Sequence, residues 1–255
     1  MFNSSSKSSS TPSQDHQTEE AVSEPFVSHL IELRNRLLIA VGTVIVLFLC
    51  LVPFANELYE WFAKPLMASL PQGSTMISTE PHGPFFIPFK FAFACAFALA
   101  IPMVLYQVWA FIAPGLYKNE KSIALPLVVS STILFYLGIL FAYYIVFPLI
   151  FSFFVGMAPD GVAVMTDISS YMSFALKLFF AFGIAFEVPV ATVLLARMGV
   201  VSTSAMAQQR PYIILGAFVL GMLMTPPDVF SQIMLAVPVC LLFEIGLFFA
   251  RRLEK

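Results

Sequence analysis

At 255 residues, with 59% hydrophobic and only 11% charged residues and a mean hydropathy of +0.88, this chain is too apolar for a water-soluble fold. Such folds carry about 25% charged residues, because polar side chains must cover the outside. The net charge of −2 excludes a concentrated basic surface, and with it a nucleic-acid partner. Cys50, Cys95 and Cys240 all lie in apolar runs without CxxC or metal spacing, and read as packed thiols.

Residues 1–24, MFNSSSKSSSTPSQDHQTEEAVSE, are Ser-rich and turn acidic. They lack the apolar core and cleavage site of a secretory signal and are expected to be a disordered cytoplasmic tail. Residues 25–255 are expected to form one all-α transmembrane domain. In EPFVSHLIELRNRLL, residues 24–38, the positions Phe26, Val27, Leu30, Ile31, Leu33, Leu37 and Leu38 fall roughly on one helical stripe. That predicts an amphipathic surface helix, with Ser28 as the candidate start. A first span follows over 37–54, close to the roughly 20 residues that a bilayer requires. Residues 55–84 make a long polar interruption, with Tyr59 and Trp61 suited to an interface.

The second span is expected over 85–111, kinked by Pro88 and Pro102. The third is expected over 123–147. A second outer segment, 148–171, contains the turn signal PDG. The fourth span, 172–195, is interrupted by Lys177, Glu187 and Pro189. Two shorter spans are expected, one beginning at Pro211 and one over 233–250. The positive-inside rule orients all six. With both termini inside, the inner segments hold Lys7, Arg34, Arg36, Lys118, Lys121, Arg197, Arg210, Arg251, Arg252 and Lys255, leaving only Lys64 outside. Lys90 and Lys177 fall within or near spans.

Catalytic signatures are missing from the sequence. There is no HExxH, no GxSxG and no Walker A loop, so neither a hydrolase nor an ATPase is expected. His16, His29 and His82 are scattered over tail, surface helix and outer loop, and suggest no metal site. The informative residues are polar groups in costly places. Glu187, mid-span in FGIAFEVPVA, either pairs with Lys177 or Lys90, or lines a cavity and meets a substrate or partner helix. Glu244 lies nearer the inner end of the last span, where a packing role is expected. Glu32 and Arg36 are four apart and can pair on one helix face. Glu120, in LYKNEK, taken by its surroundings alone, is a solvated loop acid.

The segments SHLIELRNRL, LYQVWAFIAPGLYKNEK, FYLGILFAYYIVFPL, FEVPVA and MLMTPPDVFSQ occur in that order. Together they resemble TatC, the polytopic core subunit of the twin-arginine protein translocase, over nearly all the chain beyond the tail. The resemblance implies a signal-peptide receptor in a bacterial inner membrane, with both termini cytoplasmic and two long periplasmic segments. It implies export of folded proteins driven by the proton-motive force, with TatA-like and TatB-like single-span partners in a multimeric complex. No metal, cofactor or catalysis is implied. Glu120, Phe111, Glu32, Leu33 and Arg34 would then form the signal-peptide surface. Glu120 would be the principal carboxylate for paired arginines, and Arg34 would organise the acids or bind peptide carbonyls. Glu187 would make a polar contact inside the membrane, and Asp228 would cap the last span or touch a partner. The competing readings are an ion-coupled secondary transporter for a small solute, using Glu187 and Lys177, and a purely structural scaffold.

Overall fold

The structure, a computed structural model, describes residues 15–67, 77–112, 121–157, 167–224 and 228–253. These residues are helical almost throughout, as a lipid environment requires, because a helix satisfies its backbone polar groups within one segment. Helix α1 runs unbroken over Asp15–Leu51. Surface helix and first span are therefore one rod. Residues 15–24, expected in the tail, are helical, and Ser28 lies inside the helix instead of starting it. Gln17, Glu19, Glu20 and Ala21 have high intrinsic helix propensity, which carries the helix back beyond the apolar stripe.

A 3₁₀ turn, Val52–Phe54, contains Pro53 and joins α1 to α2, Ala55–Met67. Helix α3, Gly83–Ile112, contains Pro88 and Pro102. Helix α4, Lys121–Phe141, continues through a π-helical turn, Ala142–Val146, into α5, Phe147–Gly156. Helix thus persists well past position 147. Helices α6, Ile168–Ala185, and α7, Val188–Arg197, are one span broken at Phe186 and Glu187. The short α8, Thr203–Gln208, precedes α9, Arg210–Met224, and α10, Val229–Leu253.

Five helical stretches are long and apolar enough to cross a membrane: Val27–Ala63, Gly83–Ile112, Leu125–Phe154, Ile168–Arg197 and Val229–Leu253. The protein is therefore an all-α polytopic membrane protein. The sixth expected span, α9, has 15 residues, about 22 Å at 1.5 Å per residue, short of a hydrocarbon core of about 30 Å. The last helix differs in the opposite direction from its expected shortness. It has 25 residues, because Asp228 caps it from Val229 onward: the Ser231 amide donates to Asp228 Oδ1 at 2.7 Å.

Helix α3 is the hub, packing against α1, α2, α4 and α6, while α10 packs against α7, α8 and α9. One apolar core joins the π turn, α5, α6, α9 and α10 through Ile150, Leu178, Phe182 and Leu235. A second joins α3, α4 and α7 through Ile101, Trp109, Phe135 and Leu194. On α1 and α10 the outward residues Leu37, Leu38, Val46, Leu49, Leu241 and Phe248 are exposed in the isolated chain. An apolar surface of this extent is what lipid covers.

The ends of α3 and α6 are fixed by a clamp on Asp167. Asp167 Oδ1 accepts from the Thr79 amide and hydroxyl, both at 3.0 Å, and Oδ2 accepts from the Ser170 amide at 2.9 Å. The Ile168 amide adds a bond to the Ile77 carbonyl at 3.0 Å. The Thr79 and Ser170 amides hold this carboxyl well below the usual carboxylate range, at about 2. Because the folded value lies below the unfolded value of about 3.9, the clamp contributes fully above pH 4 and is lost as pH falls toward 2. Limited proteolysis near residue 77 should therefore accelerate as pH drops from 4 to 2 in wild type. Asp167→Asn should show faster cleavage already at pH 7, with a flatter pH profile.

Candidate functional site

At the opposite end of the bundle, α1 lies against the last turns of α3. The two helices bring together side chains that stand far apart in sequence. The rings of His29 and Phe111 stack with centroids 4.3 Å apart and planes 19° from parallel. One turn further along α1, the Arg36 guanidinium holds Glu32: Nε and Nη2 both donate to Glu32 Oε1, at 2.9 and 2.7 Å. Arg36 Nη1 donates to Gln107 Oε1 at 3.4 Å, and Gln107 is buried. Both strong bonds use the same oxygen, so Glu32 Oε2 accepts no hydrogen bond among the described residues. The carboxylate is oriented by Arg36 and still open on one side.

Leu33 and Arg34 stand beside this cluster, exposed. Leu33 is 42% exposed. Arg34 donates to Asn35 Oδ1 at 3.3 and 3.2 Å, while Glu32 is held by Arg36. Glu120, the carboxylate singled out for paired arginines, lies outside the described residues.

A second polar site is embedded between α3, α4 and the α6–α7 break. The Phe186 amide donates to Phe182 O and the Glu187 amide to Ile184 O, each at 3.0 Å, closing α6 just before Pro189 lets α7 begin. Glu187 therefore stands where the backbone changes course. Both of its carboxyl oxygens are buried without a hydrogen-bond partner among the described residues. The Ser131 hydroxyl of α4 is within electrostatic reach, and Ser131 Oγ accepts from Trp109 Nε1 of α3 at 2.9 Å. Neither Lys177 nor Lys90 pairs with Glu187; both lysines line a different pocket. Nor is Glu187 among the residues lining the large apolar cavity beside α3 and α6. Glu244 has a structural partner: Arg210 Nε and Nη2 bond its two oxygens at 2.6 and 2.8 Å, tying the short α9 to α10.

The profile described as Sec-independent protein translocase protein (TatC) matches residues 28–238. The chain belongs to the TatC family. Relatives carrying the name Sec-independent protein translocase protein TatC include that of Escherichia coli strain K12. It is 58% identical over 228 residues, covering 89% of this chain and 88% of the relative. The Haemophilus influenzae protein is 56% identical, covering 90% of each chain. The Aquifex aeolicus protein is 39% identical, covering 89% of this chain and 95% of its own length. A crystal structure described as the twin-arginine translocase receptor TatC superposes with a TM-score of 0.81 at 39% identity, covering 89% of this chain and all of that one. A second, in DDM, gives 0.80.

In this TatC-family chain the structure joins Glu32 and Phe111 on one surface with Leu33 and Arg34 beside them. It keeps Glu187 and Asp228 in separate places. Sequence reasoning missed two members of the surface. His29 reads as an ordinary surface residue until α3 supplies Phe111. Gln107 carries a signal, since it is the polar residue inside the apolar LYQVWAF, but its partner Arg36 is 71 positions away.

Proposed function

We propose that this TatC-family protein is the signal-peptide receptor and core component of the twin-arginine translocase, exporting folded proteins. The observation that carries this reading is the Glu32 carboxylate, oriented by Arg36, open on one oxygen, and flanked by the exposed Leu33 and the His29–Phe111 stack. A guanidinium seeks this kind of partner, a fixed carboxylate beside apolar wall in a partly desolvated place. Glu120, outside the described residues, would provide the stronger of the two carboxylates. The peptide's apolar part would then run beside the spans. Its function is binding and assembly, without bond breaking.

In this proposal α9 is a sixth, short span, both termini are cytoplasmic, and the membrane is a bacterial inner membrane. The charge asymmetry across the loops supports that orientation. A short span fits where the bilayer thins or protein covers its ends. TatA-like and TatB-like single-span subunits, in a multimeric complex using the proton-motive force, would complete the passage, because a six-helix bundle is narrower than a folded protein.

The test is binding of a fluorescent twin-arginine peptide to purified protein in detergent, against the same peptide with both arginines changed to lysine. Strong preference for the arginine form supports the receptor. Indifference to the change removes it in favour of solute transport or scaffolding.

Glu187 is proposed to offer its carboxyl group to a polar side chain on a partner's transmembrane helix or on the inserted signal. Its two unpartnered oxygens support this, since a buried polar group without a partner is costly. Co-purification of a TatB-like subunit should fall severalfold in Glu187→Ala and be largely retained in Glu187→Gln, which can still hydrogen-bond. Equal retention in wild type and Glu187→Ala would remove the partner contact.

A further inference from the structure

We propose that the pocket between α3, α6 and the end of α9 binds the phosphate of an anionic phospholipid, whose acyl chains lie in the adjoining apolar cavity. The pocket is about 450 Å³ and is lined by Glu80, Lys90, Ser169, Ser170, Ser173 and Lys177, with the last residues of α9 closing one side. Both lysines reach it from within membrane-spanning helices. Lys90 stands about 10 Å along α3 from Gly83, and Lys177 about 14 Å along α6 from Ile168, at 1.5 Å per residue. The Asp167–Thr79 clamp holds the starts of these helices together, so both lysines enter the bilayer from the same end.

Two ammonium groups this far along spans need a counter-charge. Among the described residues neither has a carboxylate partner. Glu80, the one acid lining the pocket, stands 3.3 Å from His82 Nε2, and Glu187 lies elsewhere. Glu80 supplies one negative charge against two lysines, and a phosphate would supply the other, with serine hydroxyls as further donors.

The neighbouring cavity decides what carries that phosphate. It has a volume of about 1330 Å³, its walls are largely Phe side chains, and it shares Lys90 and Ser173 with the polar pocket. A small polar compartment that shares two wall residues with a large apolar one suits an amphiphile with an anionic head. Inorganic phosphate would leave the apolar part unused. A cationic peptide terminus would be repelled by the two lysines.

The test is native mass spectrometry of the purified full-length protein titrated with phosphatidylglycerol. Phosphatidylcholine serves as the zwitterionic comparator and inorganic phosphate as the competitor. Lys90→Gln with Lys177→Gln should lower phosphatidylglycerol affinity roughly 10- to 30-fold, given the strength of single Lys–anionic-lipid attractions. Lys90→Arg with Lys177→Arg should retain it, which separates lost charge from lost folding. Phosphatidylcholine should bind more weakly, and millimolar phosphate should not displace the lipid. Undiminished phosphatidylglycerol binding in the glutamine variant would overturn the site. Full displacement by inorganic phosphate would overturn the lipid as its occupant.

Discussion

Glu120→Gln should weaken binding of a twin-arginine peptide by about 2–5 kcal/mol, the range for removing one partner of a desolvated, hydrogen-bonded charge pair. That is about 30-fold or more in Kd. Glutamine keeps the shape and removes the charge, so the loss reports on the charge-assisted bonds to the guanidinium. Glu32→Gln should cost less, because Arg36 already engages Glu32 Oε1 at 2.7 and 2.9 Å and only the second oxygen is open. Fluorescence anisotropy with the arginine and lysine peptides forms a double-mutant cycle for each carboxylate. Coupling between Glu120 and the peptide arginines is the expected result. If Glu120→Gln loses as much affinity for the lysine peptide as for the arginine peptide, the carboxylate acts by general charge and does not read the guanidinium fork.

Gly138→Ala should destabilise the fold more than any other single methyl group proposed here. A Cβ at position 138 of α4 would stand 2.4 Å from the Phe182 carbonyl oxygen, 2.9 Å from its carbon and 3.0 Å from Phe186 Cγ. The first two are backbone atoms of α6 and cannot turn aside, so the helices must separate. Overpacking of this kind costs typically about 1–3 kcal/mol. Separation would also disturb the α6–α7 break, since Phe186 immediately precedes Glu187. Thermal unfolding in detergent should show a lowered Tm, and co-purification of a TatB-like subunit should fall with it. Gly42→Ala is the matched control. A Cβ there meets nothing within 4 Å, and replacing a mid-helix glycine gains roughly 0.5–1 kcal/mol in backbone entropy. A Tm for Gly138→Ala equal to that of Gly42→Ala would show that α4 and α6 are not held this close.

The same close approach gives the embedded site its shape. Ser131 lies two turns before Gly138 on α4 and is fully buried. There it accepts from Trp109 of α3 and faces Glu187 of the α6–α7 break. Three spans meet at one carboxyl group because a glycine lets two of them touch. Substitutions at Gly138 and Glu187 should therefore not be additive.

The sequence by itself determined that the chain lies in a membrane, that it is all helical, and roughly where the helices fall. Each depends on local composition and on hydrogen bonds made within one segment, which a continuous apolar run is enough to specify. The Glu32–Arg36 pair was legible for the same reason, since four residues is one helical turn. Pro189 likewise marked the break beside Glu187. Helix ends were less legible. The start of α1 at Asp15 depends on the propensity of polar residues, which hydropathy does not register.

Only the tertiary structure decided which distant groups meet. His29 on Phe111, Arg36 on Gln107, Arg210 on Glu244 and Thr79 on Asp167 each join residues 34 or more positions apart. No local pattern encodes such a pairing, because it depends on which faces of two helices pack. The tertiary structure also separated groups that the sequence allowed to pair. Glu187 and Lys177 share one span, but Glu187 stands at the break between α6 and α7 while Lys177 lines a pocket with Lys90. Which groups on neighbouring helices a polar side chain meets depends on packing, and is fixed only when the bundle forms.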